Sequence, residues 1–136
     1  MRAFLDTNVL VRHLTGDPPD LAARATQFLR DADELLLADL IVAETVYVLE
    51  SFYELARSRV AELARAILAF GPVRVVDIDL LLRAVEVYEL DRLDFAEAYL
   101  VASAEQSGVG IVASFDRSID RVQTVTRFEP LGAPRA

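Results

Sequence analysis

Four short apolar runs, each followed by a stretch of helical spacing, constrain this chain more than any other feature. They are residues 2–5 (RAFL), 34–38 (ELLLA), 73–76 (VRVV) and 110–113 (GIVA), with a candidate fifth over 122–125. Between them, apolar residues recur at helical intervals over 9–14, 20–31, 40–56, 58–70, 79–90 and 95–107. Gly16-Asp17-Pro18-Pro19, Gly71-Pro72 and Gly108 break the helical stretches. Runs too short and too apolar for half-exposed hairpins, alternating with helices, predict an α/β sandwich with a mainly parallel sheet. With no repeat, low-complexity tract or linker, the 136 residues are expected to form a single domain, 1–136. In such sheets ligands collect beyond the carboxyl ends of strands. Asp6 and Asp116 both fall just past such an end.

Composition narrows the chemistry. The chain has no cysteine, which removes thiolate metal sites, iron–sulfur clusters and cysteine nucleophiles. All fourteen basic residues are arginine, so lysine Schiff bases and lysine-dependent phosphate loops are also excluded. A receiver-type phosphoacceptor, which needs a lysine, goes with them. His13 is the one histidine; it cannot build a multi-histidine metal site and reads as a satisfied helix residue. A phosphatase of the Asp-x-Asp kind is ruled out because Asn8 stands where its second acid belongs. No segment approaches the roughly 20 apolar residues of a membrane span. The opening MRAFLDTN reaches an acid too early for a secretion signal, so a cytoplasmic location is expected.

Acids are what remain. Asp6 can be a helix N-cap after a strand. Glu44 lies in LIVAETVYVL, where a buried charge needs either an arginine partner or a cation. Asp94 and Glu97, in LDFAEAYL, match a capping box and also sit together on the first helical turn. Asp39 is placed to cap the helix that follows it. Asp116 can cap a turn over 117–120, with Ser114 two residues earlier; Asp120 reads as a solvated turn residue. Carboxylates at strand ends and helix starts, with no softer ligand competing, select hard cations such as Mg²⁺ or Mn²⁺. Such ions suit phosphodiester cleavage by water. The net charge of -8 runs against phosphate binding, which needs local positive charge. Arg12, Arg92 and Arg117 are the candidates to supply it. The helices over 40–70 carry Val46, Tyr47, Leu49, Phe52, Tyr53, Val60 and Leu63, more apolar surface than one sheet face needs. Such a surplus predicts a two-fold homodimer.

At these residues the sequence resembles the PIN-domain family, and within it the VapC-type toxins of bacterial toxin–antitoxin pairs. The likeness is carried in order by FLDTNVLVRHLTGDPP, LIVAETVYVLESFYELAR, LDFAEAYLVASAEQSG and IVASFDRSIDRV. It implies a PIN-like three-layer α/β/α sandwich with a mainly parallel sheet of four to five strands. It implies catalytic acids at Asp6, Glu44, Glu97 and Asp116, a share in metal binding for Asp94, and supporting roles for Asn8 and Ser114. The third acid is usually Asp in the family; here it is Glu97. The implied function is Mg²⁺-dependent endoribonuclease activity, with Mn²⁺ able to substitute, in a homodimeric toxin held by an antitoxin lying across the active-site groove. The alternatives are a PIN-fold nuclease of RNA processing or DNA repair, and an inactive PIN-like binding module.

Overall fold

The structure, a computed structural model, describes residues 1–132. Three strands, β1 (Arg2–Phe4), β2 (Glu34–Leu36) and β3 (Val73–Arg74), pair in parallel in the order β1-β2-β3. Ala3 faces Leu35, and Leu35 faces Val73. Two more, β4 (Ile111–Ala113) and β5 (Thr126–Phe128), form a second parallel pair. Parallel neighbours cannot be joined by a tight hairpin, so a crossover intervenes at each step. The first is α1 (Thr7–Thr15) and α2 (Pro19–Asp31); the second is α3 (Asp39–Ser51) and α4 (Arg57–Leu68). From β3 the chain reaches the second sheet through α5 (Ile78–Glu86), a π-helical turn over Val87–Asp91 and α6 (Phe95–Ser107), and the 3₁₀ turn Arg117–Arg121 lies between β4 and β5. No helix among the described residues is long and apolar enough to cross a membrane.

The expected α/β class and parallel pairing are both present. Boundaries moved where local chemistry overrode periodicity. The first helix starts at Thr7 because Asp6 caps it, and it stops at Gly16, whose left-handed φ of 70° lets its N–H close on Arg12 O. The helix expected over 40–56 ends at Ser51, with no glycine or proline to announce it. Phe52 and Tyr53 both donate backbone N–H bonds to Val48 O, and Glu54 takes a left-handed φ of 53°. Asp39 does not cap that helix: Ala38 holds the N-cap position without a side-chain bond, and Asp39 is the first helical residue. The fifth strand lies at Thr126–Phe128, not 122–125. Val122 and Val125 are instead buried in the core, while Thr126 and Phe128 alternate outward.

The core joins the sheet's inner row, Leu5, Leu35, Leu37 and Val73, to helix residues such as Leu10, Leu29, Leu49, Val60, Leu81 and Val101. This accounts for most of the surplus expected to drive dimerisation. Val46, Leu49, Val60 and Leu63 are consumed inside the chain, and only Tyr47 and Phe52 of that set stay well exposed.

One long-range device fixes the approach to α6. The Arg57 guanidinium donates to Tyr88 O at 2.8 Å and Leu93 O at 2.7 Å, and lies 4.5 Å from the Tyr88 ring centroid. Tyr88 in turn donates its hydroxyl to Glu50. The carbonyls freed by the π-turn are thus satisfied by α4, immediately before Asp94. Arg57→Ala is expected to lower stability by about 2–3 kcal/mol, because hydrogen bonds from a charged donor to part-buried carbonyls are lost. Arg59→Ala, which removes only an exposed pair with Glu62, should stay within about 0.5 kcal/mol. Urea titration of both variants checks this; equal small effects would mean water replaces the guanidinium.

Candidate functional site

The acids singled out by sequence stand as two pairs, each organised by a hydroxyl residue. Asp6 follows β1 and caps α1, accepting from Thr7 N at 2.8 Å. The hydroxyl of the same threonine donates to Glu44 Oε2 at 2.9 Å. Thr7 is 6% exposed, so it is a fixed wedge holding both carboxylates on one edge. Glu44 is exposed, not buried, and among the described residues it makes no arginine ion pair. The apolar sequence around it hides an open side of α3 that faces a groove. That groove, about 450 Å³, runs from Asp6, Thr7 and Glu44 to Phe52 and Tyr53, with Asn8 and Arg12 also in its lining.

The second pair joins the start of α6 to the end of β4. Ser118 donates its hydroxyl to Glu97 Oε2 at 3.0 Å and its N–H to Asp116 Oδ1 at 2.8 Å. Ser114 Oγ accepts from Asp116 N at 2.9 Å, folding the loop that presents the acid. Glu97 and Asp116 face each other across Ser118, and the two carboxyl groups are coupled. That coupling is the largest cause of both shifts: it raises Glu97 above the usual carboxylate range and lowers Asp116 to about 2. Burial adds to the rise at Glu97, and the Ser118 N–H adds to the fall at Asp116. Asp94 occupies the N-cap position of α6 but makes no capping bond, so the expected capping box is not formed. It is exposed, and its charge reinforces the rise at Glu97.

Thr7 and Ser118 were not foreseen as site residues. Thr7 was visible only as a cap-type neighbour in Asp-Thr-Asn, and Ser118 carried no signal. Of the candidate arginines, Arg12 lines the groove and donates only to Asp17 O, at 3.4 Å. Arg92 and Arg117 are exposed outside that groove. Asp120 pairs with Arg127 at the surface, and His13 bonds Thr26 Oγ1 at 2.8 Å, with burial, then Arg30, lowering its pKa. Asp39 accepts the Tyr99 hydroxyl at 2.5 Å on Oδ2, while its Oδ1 is buried without a partner.

Among the described residues, no three His, Cys, Asp or Glu side chains stand close enough to enclose one metal ion. The donor set nevertheless suits a hard divalent cation. Mg²⁺ is commonly held by one or two carboxylates with water completing its shell. Glu97 and Asp116, held by the same Ser118, form such a two-carboxylate set.

The opposed shifts have a pH consequence. Glu97, with its folded pKa raised, favours folding only below its unfolded pKa, and that contribution is lost as pH rises through the folded value. Asp116 acts in the opposite sense, its contribution failing only as pH drops toward about 2. In EDTA at neutral pH, Glu97→Gln should therefore melt higher than wild type, since an amide keeps the Ser118 bond and donates to Asp116. The advantage should fade as pH falls through the raised folded pKa of Glu97, where the wild-type glutamate is itself protonated. A lower melting temperature for Glu97→Gln across the whole pH range would refute the coupling of Glu97 to Asp116.

Comparison with known proteins adds a family. The PIN domain profile matches residues 3–125. No curated protein matches the chain in sequence. One similar solved structure is the Mycobacterium tuberculosis VapC20 toxin, described as cleaving the sarcin–ricin loop. The two share 18% identity over 87% of this chain and 92% of that one, with a TM-score of 0.41.

Proposed function

Because this chain belongs to the PIN domain family, we propose that it is a divalent-metal-dependent endoribonuclease acting as the toxin of a toxin–antitoxin pair. The observation that carries the reading is the pairing of Asp6 with Glu44 across Thr7 and of Glu97 with Asp116 across Ser118. Carboxylates brought together against their mutual repulsion call for a compensating cation; among the described residues none of the four forms an arginine ion pair, and Arg121 adds only a minor pull on Asp116. Asp6, Glu44, Glu97 and Asp116 would hold Mg²⁺ or Mn²⁺, with Asp94 adding charge at the edge. When bound, such an ion supplies charge neutralisation and Lewis acidity at a phosphodiester.

The chain's own residues have distinct tasks. Thr7 orients the first two acids, and its burial stops them from drifting apart. Ser118 and Ser114 orient the second two. Without a cation Glu97 and Asp116 would carry opposing charge preferences, relieved once one is bound. Arg12 brings positive charge to a groove that is otherwise acidic. In the finer reading, an antitoxin segment lies across the same groove and the toxin is a cytoplasmic homodimer.

Asp6→Asn separates catalysis from capping, because Asn caps a helix about as well as Asp. The variant should keep its helicity and melting temperature in EDTA while cutting RNA about a hundredfold more slowly or worse in Mg²⁺. Wild type at free Mg²⁺ near 100 times the dissociation constant should gain about 2.7 kcal/mol, seen as a melting shift of several degrees. Cleavage by Asp6→Asn at the wild-type rate, or a melting curve indifferent to both Mg²⁺ and Mn²⁺, would overturn the proposal.

A further inference from the structure

The groove beside Asp6 and Glu44 continues well past them, and its far end is aromatic. Glu44, Val48 and Phe52 are spaced four apart, so they form one row along the groove wall. Phe52 lines the groove together with Glu44 and Val48, whereas Tyr47 and Ser51 do not. Phe52 is 74% exposed, so its ring is a large apolar surface left open in a groove that otherwise carries Asp6, Asp17 and Glu44.

The platform is also held still. Phe52 and Tyr53 are both anchored by backbone bonds to Val48 O. Their rings meet edge-on, with centroids 5.0 Å apart and planes at 71°. The Tyr53 hydroxyl donates to Asp17 Oδ2 at 3.0 Å, and Asp17 O receives Arg12. Arg12 makes no ion pair among the described residues, so its guanidinium charge is available in the groove. An open aromatic face beside an unpaired guanidinium suits one flat apolar ring joined to one anion.

We propose that this end of the groove is a subsite for an unpaired nucleotide of the substrate, its base stacked on Phe52 and an adjoining phosphate on Arg12. This rests on the ribonuclease reading and adds the substrate's form: single-stranded at this point, because a base within a duplex has no free face to offer. Eight residues of helix separate Glu44 from Phe52, a rise of about 12 Å. A stacked strand advances about 3.4 Å per nucleotide, which puts the captured base roughly three or four nucleotides from the bond that is cut. An antitoxin segment lying across the groove would cover the same ring, so on this reading it competes with the nucleotide for the subsite.

The test uses the full chain in EDTA, where RNA is not cut, and a short single-stranded RNA carrying 2-aminopurine at successive positions. Wild type should quench the fluorescence of one position strongly. Phe52→Ala should lose that quench and bind about 5- to 100-fold more weakly, while Phe52→Trp should restore both. Because Phe52 is mostly exposed, its removal should leave the melting temperature nearly unchanged. Arg12→Ala should weaken binding and reduce the salt slope by about one, with the quenched position unaltered. Wild-type affinity and quench in Phe52→Ala overturn the subsite. So does a Phe52→Ala variant that loses only self-association, read by sedimentation, because the ring then belongs to a protein interface. If wild type cuts RNA in Mg²⁺ while Phe52→Ala behaves identically, the subsite alone falls. If wild type neither binds nor cuts any RNA, the ribonuclease reading falls first.

Discussion

Every strand in this molecule is parallel to its neighbour and only two or three residues long. Ladders this short contribute few hydrogen bonds, so the strands are held by what packs against them. Leu35, in the central strand of its sheet, has no exposed surface and lies between Ala3 and Val73. The helices it touches set the sheet in place. The same constraint places the chemistry. Each parallel strand must hand the chain to a crossover at its carboxyl end, and the residues at those handovers are Asp6, Asp39, Asp77 and, after β4, Asp116. Three of them, Asp6, Asp77 and Asp116, accept backbone N–H bonds at the start of the following helix. Capping and site formation are therefore one design: the acids that begin the helices are also the acids displayed at the strand ends.

Hydroxyls decide what those acids can do. A carboxylate that only caps a helix needs a single N–H. In both pairs here one small residue serves two carboxylates at once, with its N–H on one and its hydroxyl on the other. This converts a repulsive approach into a fixed distance. The repulsion is not removed, and it appears as the opposed shifts of Glu97 and Asp116. The longer Glu97 side chain reaches Ser118 and Asp116 across the space between α6 and the 3₁₀ turn Arg117–Arg121. The added methylene, unusual for the family, is used to reach that turn.

Sequence periodicity made the alternating α/β plan legible, because each apolar run had to be buried on both sides of its own backbone or packed under a helix. Asp6, Glu44, Glu97 and Asp116 were legible as a set only through their order along the chain. Three things were hidden. The end of α3 had no proline or glycine mark, since Phe52 and Tyr53 close it by sharing Val48 O. The exposure of Glu44 was hidden by the apolar residues around it, which serve the core on one side and the groove on the other. The strand Thr126–Phe128 was hidden because its outward residues carry little apolar signal, while the valines before it are core anchors.

The net charge of -8 raises the question of how such a chain would meet a polyanion. Screening limits the reach of each charge to about 8–10 Å at physiological ionic strength. What matters at a bound phosphate is therefore the local set of groups, not the total. Most arginines are already engaged: Arg83 with Glu86 and Glu105, Arg127 with Asp120 and Glu129, Arg65 with Glu89, Arg57 with carbonyls. Arg12 differs in lining the groove while giving its guanidinium only a weak contact with Asp17 O. Arg12 is the one arginine in a groove lining that carries Asp6, Asp17 and Glu44, so the groove stays acidic. Affinity for a phosphate at the carboxylate end of the groove would then rise with the divalent ion, while the end formed by Phe52 and Arg12 does not depend on it. On this argument the acidic composition reserves the reacting phosphate for the loaded site and leaves the rest of the strand to the ring and the guanidinium.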